Sequence, residues 1–139
     1  MYERGIWLYN GGDKALKNWP RGKVPLKVLK WFASLPPYIR PATLLDENGR
    51  ELLCSHTGYG LSADDGNWFR ALWGRHGYGD GPFPEDNFFR AFGHTHVEKA
   101  CVTEKWANLD TGAAYGGGLT AFLWPSKETL FQSFDETPL

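Results

Sequence analysis

Cysteine and methionine are scarce in this chain of 139 residues: Cys54, Cys101 and a single methionine. Two cysteines are too few for a disulfide framework, so the expected setting is reducing, intracellular and cytoplasmic. No run of about 18 apolar residues occurs, so a membrane span and membrane partners are not expected. The opening MYERGIWLYNGG lacks the length and apolar core of a secretory signal. Charge of one sign is also missing. Fifteen Lys and Arg against sixteen Asp and Glu leave a net charge of −1, which provides no basic field for nucleic acid. No internal repeat, low-complexity tract or interdomain linker is visible, so residues 1–139 are expected to form one domain, with 135–139 a polar tail.

Aromatic residues, by contrast, are plentiful. Seven Trp and nine Phe supply large apolar faces for a core of modest size. A short helix is expected through DKALKNW, stopped by Pro20. VPLKVLKWFASLPP reads as a clearer helix, with Pro25 in the first turn and Pro36-Pro37 as its stop. Leu26, Leu29, Phe32 and Ala33 fall on one of its faces. Two strands, YIRPATLLD and RELLCSH, flank Asn48-Gly49, a hairpin-turn signal; the second should end near His56. TGYGLSADDG and GRHGYGDGPFPED read as loops, with a short helix NWFRALWGR between them. NFFRAFGHT, KWANLDTGA, LTAFLWP and ETLFQSF read as further strands, the last two joined by PSK. Helices followed by a run of strands imply an α+β or α/β layered fold with a mixed sheet and N-terminal helices.

The chemistry gathers around histidine. His56 ends one expected strand and His94 another, with His96 two residues on. In extended chain, residues i and i+2 face the same side, so His94 and His96 can converge, and His56 can join them if the strands are neighbours. Imidazole is a common ligand for Zn, Mn and Fe. His76 is read as an ordinary hydrogen-bonded side chain. Cys54 shares the His56 face, yet a thiol in an apolar strand is chiefly a packing group. Arg75 opens a glycine-rich loop where a guanidinium can grip phosphate through two nitrogens; Arg4, Arg21 and Arg40 read as solvated charges. Asp-Thr-Gly at 110–112 is similar to the catalytic stretch of aspartic proteases, but only 29 residues follow Asp110, too few for the rest of such a fold. Asp110 is therefore read as organising a turn.

Taken in order, WLYNGG, WFASLPPYI, GRELLCSHTGY, LWGR, FGHT and DTGAAYGGGLTA resemble the C-terminal half of a calcineurin-like metallophosphoesterase. The type is that of bacterial and phage serine/threonine protein phosphatases and symmetrical dinucleoside tetraphosphatases. The resemblance runs from about Trp7 to Trp124. It implies part of a layered sandwich, a metal-bound hydroxide attacking a phosphate ester, and a dinuclear centre of divalent metal, with Mn first and Fe, Zn or Ni open. It implies metal-ligand roles for His56 and His94, a phosphate-binding role for Arg75 and a site-lining role for Tyr115. His96 stands where protein phosphatases often have proline and other metallophosphoesterases a ligand. Thr57 stands where alanine is usual. The family's Gly-Asp-x-His-Gly, Gly-Asp-x-x-Asp-Arg-Gly and Gly-Asn-His-Glu motifs, which carry the carboxylate ligands, do not occur.

The reading is thus the histidine-bearing half of a phosphoesterase acting on a phosphoprotein or nucleotide, incomplete by itself. Self-association or a partner is expected to cover the missing-half face. Two alternatives stay open. One is a small zinc enzyme using His56, His94 and His96, with Asp64, Asp65 or Asp110 behind them. The other is a non-catalytic binding or assembly module.

Overall fold

A computed structural model describes residues 5, 7–41 and 43–134; Arg4 and the expected tail 135–139 lie outside them. The architecture is mixed α+β with a mixed sheet, as the sequence implied. No helix among the described residues is long and apolar enough to cross a membrane. The chain divides into two compact units, Met1–Pro36 and Pro37–Leu139.

In the first unit, α1 (Asp13–Lys17) ends two residues earlier than expected, and Pro20 opens a separate turn of 3-10 helix, Pro20–Gly22. α2 (Leu26–Ser34) follows directly on Pro25. It stops at Leu35, held extended at φ −72° and ψ 133°, because a residue before proline is pushed out of the helical region. Its Leu26, Leu29 and Phe32 remain exposed.

The second unit is built on five strands: β1 (Tyr38–Ile39), β2 (Glu51–Ser55), β3 (Phe88–Phe92), β4 (Cys101–Val102) and β5 (Trp106–Asn108). Their order is β1-β2-β3-β5-β4. β2, β3 and β5 run parallel, and β1 and β4 lie antiparallel at the edges. Parallel neighbours need a crossover. Between β2 and β3 it is made by a turn of 3-10 helix, Gly60–Ala63, and by α3 (Trp68–Trp73). Asn67 caps α3 by accepting the Arg70 N–H at 3.0 Å. β6 (Gly118–Phe122) and β7 (Thr129–Ser133) form a separate antiparallel pair.

Two expected strands are cut short, and one strand is unforeseen. The long strand over 38–46 shrinks to β1 and an isolated bridge between Leu45 and Glu51. Pro41 offers no N–H to a ladder, and Asp46 turns the chain by accepting the N–H groups of Asn48 and Arg50. The Asn48-Gly49 turn itself forms, with Gly49 at φ 73°. The strand over 105–113 keeps only β5, because Asp110 starts a turn. β4 is unforeseen; the Thr103 hydroxyl accepts the Lys105 and Trp106 N–H groups and folds it back on β5.

β3 is covered on both faces. Phe89 and Ala91, with Leu52 and Ala107, meet Phe122 and Trp124. Trp106 and Phe92 meet Phe83 and His76. A fully buried side chain such as Phe89 contributes about 1.5–3 kcal/mol, and this central strand fixes the position of the turn at its C-terminal end.

Candidate active site

His56, His94 and Asp110 lie just beyond the last residues of three parallel strands, β2, β3 and β5 respectively. The carboxyl ends of parallel strands are where α/β sheets usually hold ligands. The His56 carbonyl accepts the Gly93 N–H at 3.0 Å, so the two histidine-bearing segments are pinned side by side. Their rings lie 4.5 Å apart, centroid to centroid.

His94 adopts φ 66°, a left-handed conformation that costs a non-glycine residue about 1–2 kcal/mol. It sits at the centre of a tight turn in which Thr95 N–H reaches the Gly93 carbonyl at 2.7 Å. Asn108 holds the exit of that turn through the Thr95 carbonyl at 2.7 Å. Because the chain is not extended at His94, the same-side rule does not link it to His96. His94 goes with His56, while His96 packs against Gly112 and Tyr115, 6.4 Å from the tyrosine ring. A Cβ on Gly112 would stand 2.5 Å from His96 Nε2, so glycine is required there. Tyr115 is highly exposed.

The His94 ring carries one nitrogen, Nε2, that is buried without a partner. Burial first, then the charges of His56 and Arg75, push the His94 pKa below its ordinary value, against the nearby Trp73 backbone carbonyl and Asp110. Burial likewise lowers His56, opposed by Asp110. Both rings are accordingly neutral at pH 7, the form that ligates metals. A buried imidazole nitrogen without a partner is what a ligating histidine presents to a metal. His56 and His94 thus fit a divalent ion as two of its donors. Among the described residues, no group of three or more His, Cys, Asp or Glu is gathered to hold one.

Arg75 is exposed two residues beyond α3. Asp80 takes its backbone N–H at 2.7 Å, and Arg70 and Tyr59 bond the neighbouring carbonyls of Asp80 and Gly81. The loop is held while the Arg75 guanidinium has no hydrogen bond or ion pair among the described residues. Arg40, by contrast, is paired with Glu51. Asp110 keeps the turn role expected of it, accepting the Gly112 N–H at 3.1 Å, and also acts on both histidines. Asp64 accepts the Tyr38 hydroxyl at 2.9 Å instead. Cys54 is half-buried, with its thiol pushed up by burial.

The sequence reading missed the contact of Trp73 with His94 and the use of Thr57. That threonine is buried and donates to the Ala71 carbonyl at 2.9 Å. The last carbonyls of a helix lack partners within it. Here Thr57 takes one, so α3 is the brace behind the His56 segment, and its Trp73 ring touches His94. A helix ending two residues before the arginine was the available signal.

No family model matches this chain. Three curated relatives share stretches of sequence with it, each named bis(5'-nucleosyl)-tetraphosphatase PrpE (asymmetrical). The protein from Geobacillus thermodenitrificans (strain NG80-2) is 34% identical over 71 residues, 51% of this chain and 26% of the relative. That from Anoxybacillus flavithermus (strain DSM 21510 / WK1) is 35% identical over 66 residues, 48% and 24% respectively. That from Geobacillus sp. (strain WCH70) is 44% identical over 39 residues, 28% and 16%. The matched stretch spans about a quarter or less of each relative's length. The relatives carry the asymmetrical name where the motif resemblance suggested the symmetrical type. They make the chain similar, over part of its length, to hydrolases of the phosphoesterase kind.

Proposed function

We propose that this chain supplies the histidine and arginine side of a metal-dependent phosphoesterase site acting on nucleotide polyphosphates. One observation carries the reading: His94 presents a buried, unpartnered Nε2 beside His56, with an unpaired Arg75 close enough for its charge to act on the ring. His56 and His94 would hold the metal. A divalent ion supplies Lewis acidity and an activated water when bound. Arg75 would take the substrate phosphate and offset its charge. Asp110 would steady the two imidazoles as the site fills. Mn, with Fe, Zn or Ni as competitors, suits histidine nitrogen completed by oxygen donors. The relatives' printed name favours a nucleotide over a phosphoprotein as substrate.

The remaining donors of the site would be carboxylates from polypeptide outside these 139 residues. A shallow apolar groove lined by Cys54, Ala91, Leu109 and Leu119 beside Asp110 would seat it. The three-histidine zinc alternative has no support in the geometry, since His96 packs apart from the pair.

The test is Mn²⁺ binding measured by electron paramagnetic resonance, alongside hydrolysis of diadenosine tetraphosphate. His94→Ala should lose the bound-metal signal and any metal-dependent turnover while remaining folded. Binding and turnover equal to the parent chain would sink the assignment.

A further inference from the structure

Resting on the phosphoesterase reading, we propose that Trp73 and Arg75 form a nucleotide clamp, in which the indole face stacks a nucleobase and the guanidinium takes the adjoining phosphate. Gly74 between them is extended, at φ −60° and ψ 140°. Both residues reach His94: the Trp73 ring touches it and the Arg75 charge acts on it. At a rise of about 3.1 Å per residue their backbones are roughly 6 Å apart, a span on the scale of a nucleoside 5'-phosphate.

The clamp is rigid at its hinge. A Cβ on Gly74 would stand 2.5 Å from the Arg70 carbonyl and 2.7 Å from the Tyr59 ring, so that backbone is packed closely against its neighbours. Beyond it, Asp80 fixes the Arg75 N–H. Nothing among the described residues occupies the guanidinium.

Trp73 keeps part of its ring open beside the candidate site. Its ring meets the His94 ring in a T-shaped contact, 5.8 Å between centroids and 79° between planes. The side chain is 41% exposed, although a tryptophan serving only the core is normally far more covered. A base stacks on such a platform whatever its identity, which suits a site that must accept nucleosides and leave the chemistry to the phosphates. A change of the residue 73 side chain leaves His56, His94 and Arg75 themselves unaltered, so base binding and metal binding can be separated by substitution.

Isothermal titration with diadenosine tetraphosphate and with inorganic tripolyphosphate, each with Mn²⁺, tests the clamp. The parent chain should bind the dinucleotide more tightly than tripolyphosphate. Trp73→Leu should weaken the dinucleotide about tenfold and leave tripolyphosphate unchanged. Trp73→Phe, which keeps an aromatic face, should retain most of the preference. An unchanged dinucleotide affinity in Trp73→Leu, or a parallel loss for both ligands, would overturn the clamp while leaving the phosphate site standing. Failure of the parent chain to bind either ligand, with the carboxylate-bearing polypeptide supplied alongside it, would overturn the phosphoesterase reading itself, and the clamp with it.

Discussion

The two ends of the five-stranded sheet treat charge in opposite ways. Where β2, β3 and β5 begin, cations meet carboxylates: Arg40 with Glu51, Arg90 with Asp86, Lys105 with Glu85, and Lys127 with both Asp46 and Glu47. Where the same strands end, Arg75 is unpaired among the described residues, His94 Nε2 is buried without a partner, and the backbone at His94 is left-handed. Buried polar groups are normally satisfied, because leaving one without a partner costs about 1–3 kcal/mol. Asp46 Oδ2, buried at the first end, has the Lys127 ammonium at 2.8 Å to offset it, whereas His94 Nε2 has no such charge against it, which leaves the second end open to a ligand.

Two arginines put that contrast to its strongest test. Arg90 is 3% exposed, with both terminal nitrogens on Asp86 and its guanidinium 5.3 Å from the Phe83 ring centre. Arg90→Ala should cost about 3 kcal/mol or more, since a partly buried carboxylate is left behind. Arg75→Ala should leave the thermal midpoint unchanged and weaken inorganic phosphate as a ligand by roughly tenfold to a hundredfold, the scale of a hydrogen bond to a charged group. Equal midpoint losses in the two variants would erase the distinction between the ends.

Lys127→Met gives the next largest effect. The Asp46 side chain is fully buried and that of Lys127 is 12% exposed, 2.8 Å apart. Loss of the lysine should cost about 2–3 kcal/mol, below the full figure for a buried pair because Asp46 keeps two N–H bonds. A pH dependence comes with it. Burial alone would push the Asp46 carboxyl up, but Lys127 and the Arg50 and Asn48 N–H groups hold it below its ordinary value. A carboxyl lower in the folded state than in the unfolded one stabilises above its unfolded value, about pH 4. That contribution is lost as pH falls through the folded value. Lys127→Met removes the chief group holding the folded value down, so the variant has less of this contribution to lose: denaturant midpoints taken from neutral pH downward should fall less steeply than the parent's, and the gap between the two should narrow. Superimposable acid limbs would mean that the pair is inert.

Legibility in the sequence divides along similar lines. Local signals were readable: the Asn48-Gly49 turn, the stop of α2 before Pro36, the short helix within 67–75, and the strand endings near His56 and His94. Each depends on chemistry within a few residues. Strand lengths were overestimated because apolar content over 38–46 and 105–113 says nothing of Pro41's missing donor or of Asp110's turn. The pairing of His94 with His56 rather than His96 was not legible from spacing. It depends on a left-handed residue and on the parallel register of β2 with β3, both set by tertiary contacts. The ring contact of His94 with Trp73 joins residues 21 positions apart, which no residue pattern encodes.

The mildest loss belongs to Thr57, which tests how finely the two ends differ. This residue lies at the site end, next to His56, yet its hydroxyl is fully used: it donates to the Ala71 carbonyl at 2.9 Å and accepts the Tyr59 N–H at 3.2 Å. Thr57→Val keeps the shape and removes both bonds, so a loss of about 1–2 kcal/mol is expected, with Thr57→Ser restoring most of it. Manganese affinity should change little, because the His56 carbonyl still holds the Gly93 N–H. A valine variant as stable as the parent would show that the side chain is there for volume alone. A loss recovered by serine would show instead that the site end satisfies its buried threonine while leaving His94 Nε2 open, so that the unpaired nitrogen is a selection and not looseness of the fold.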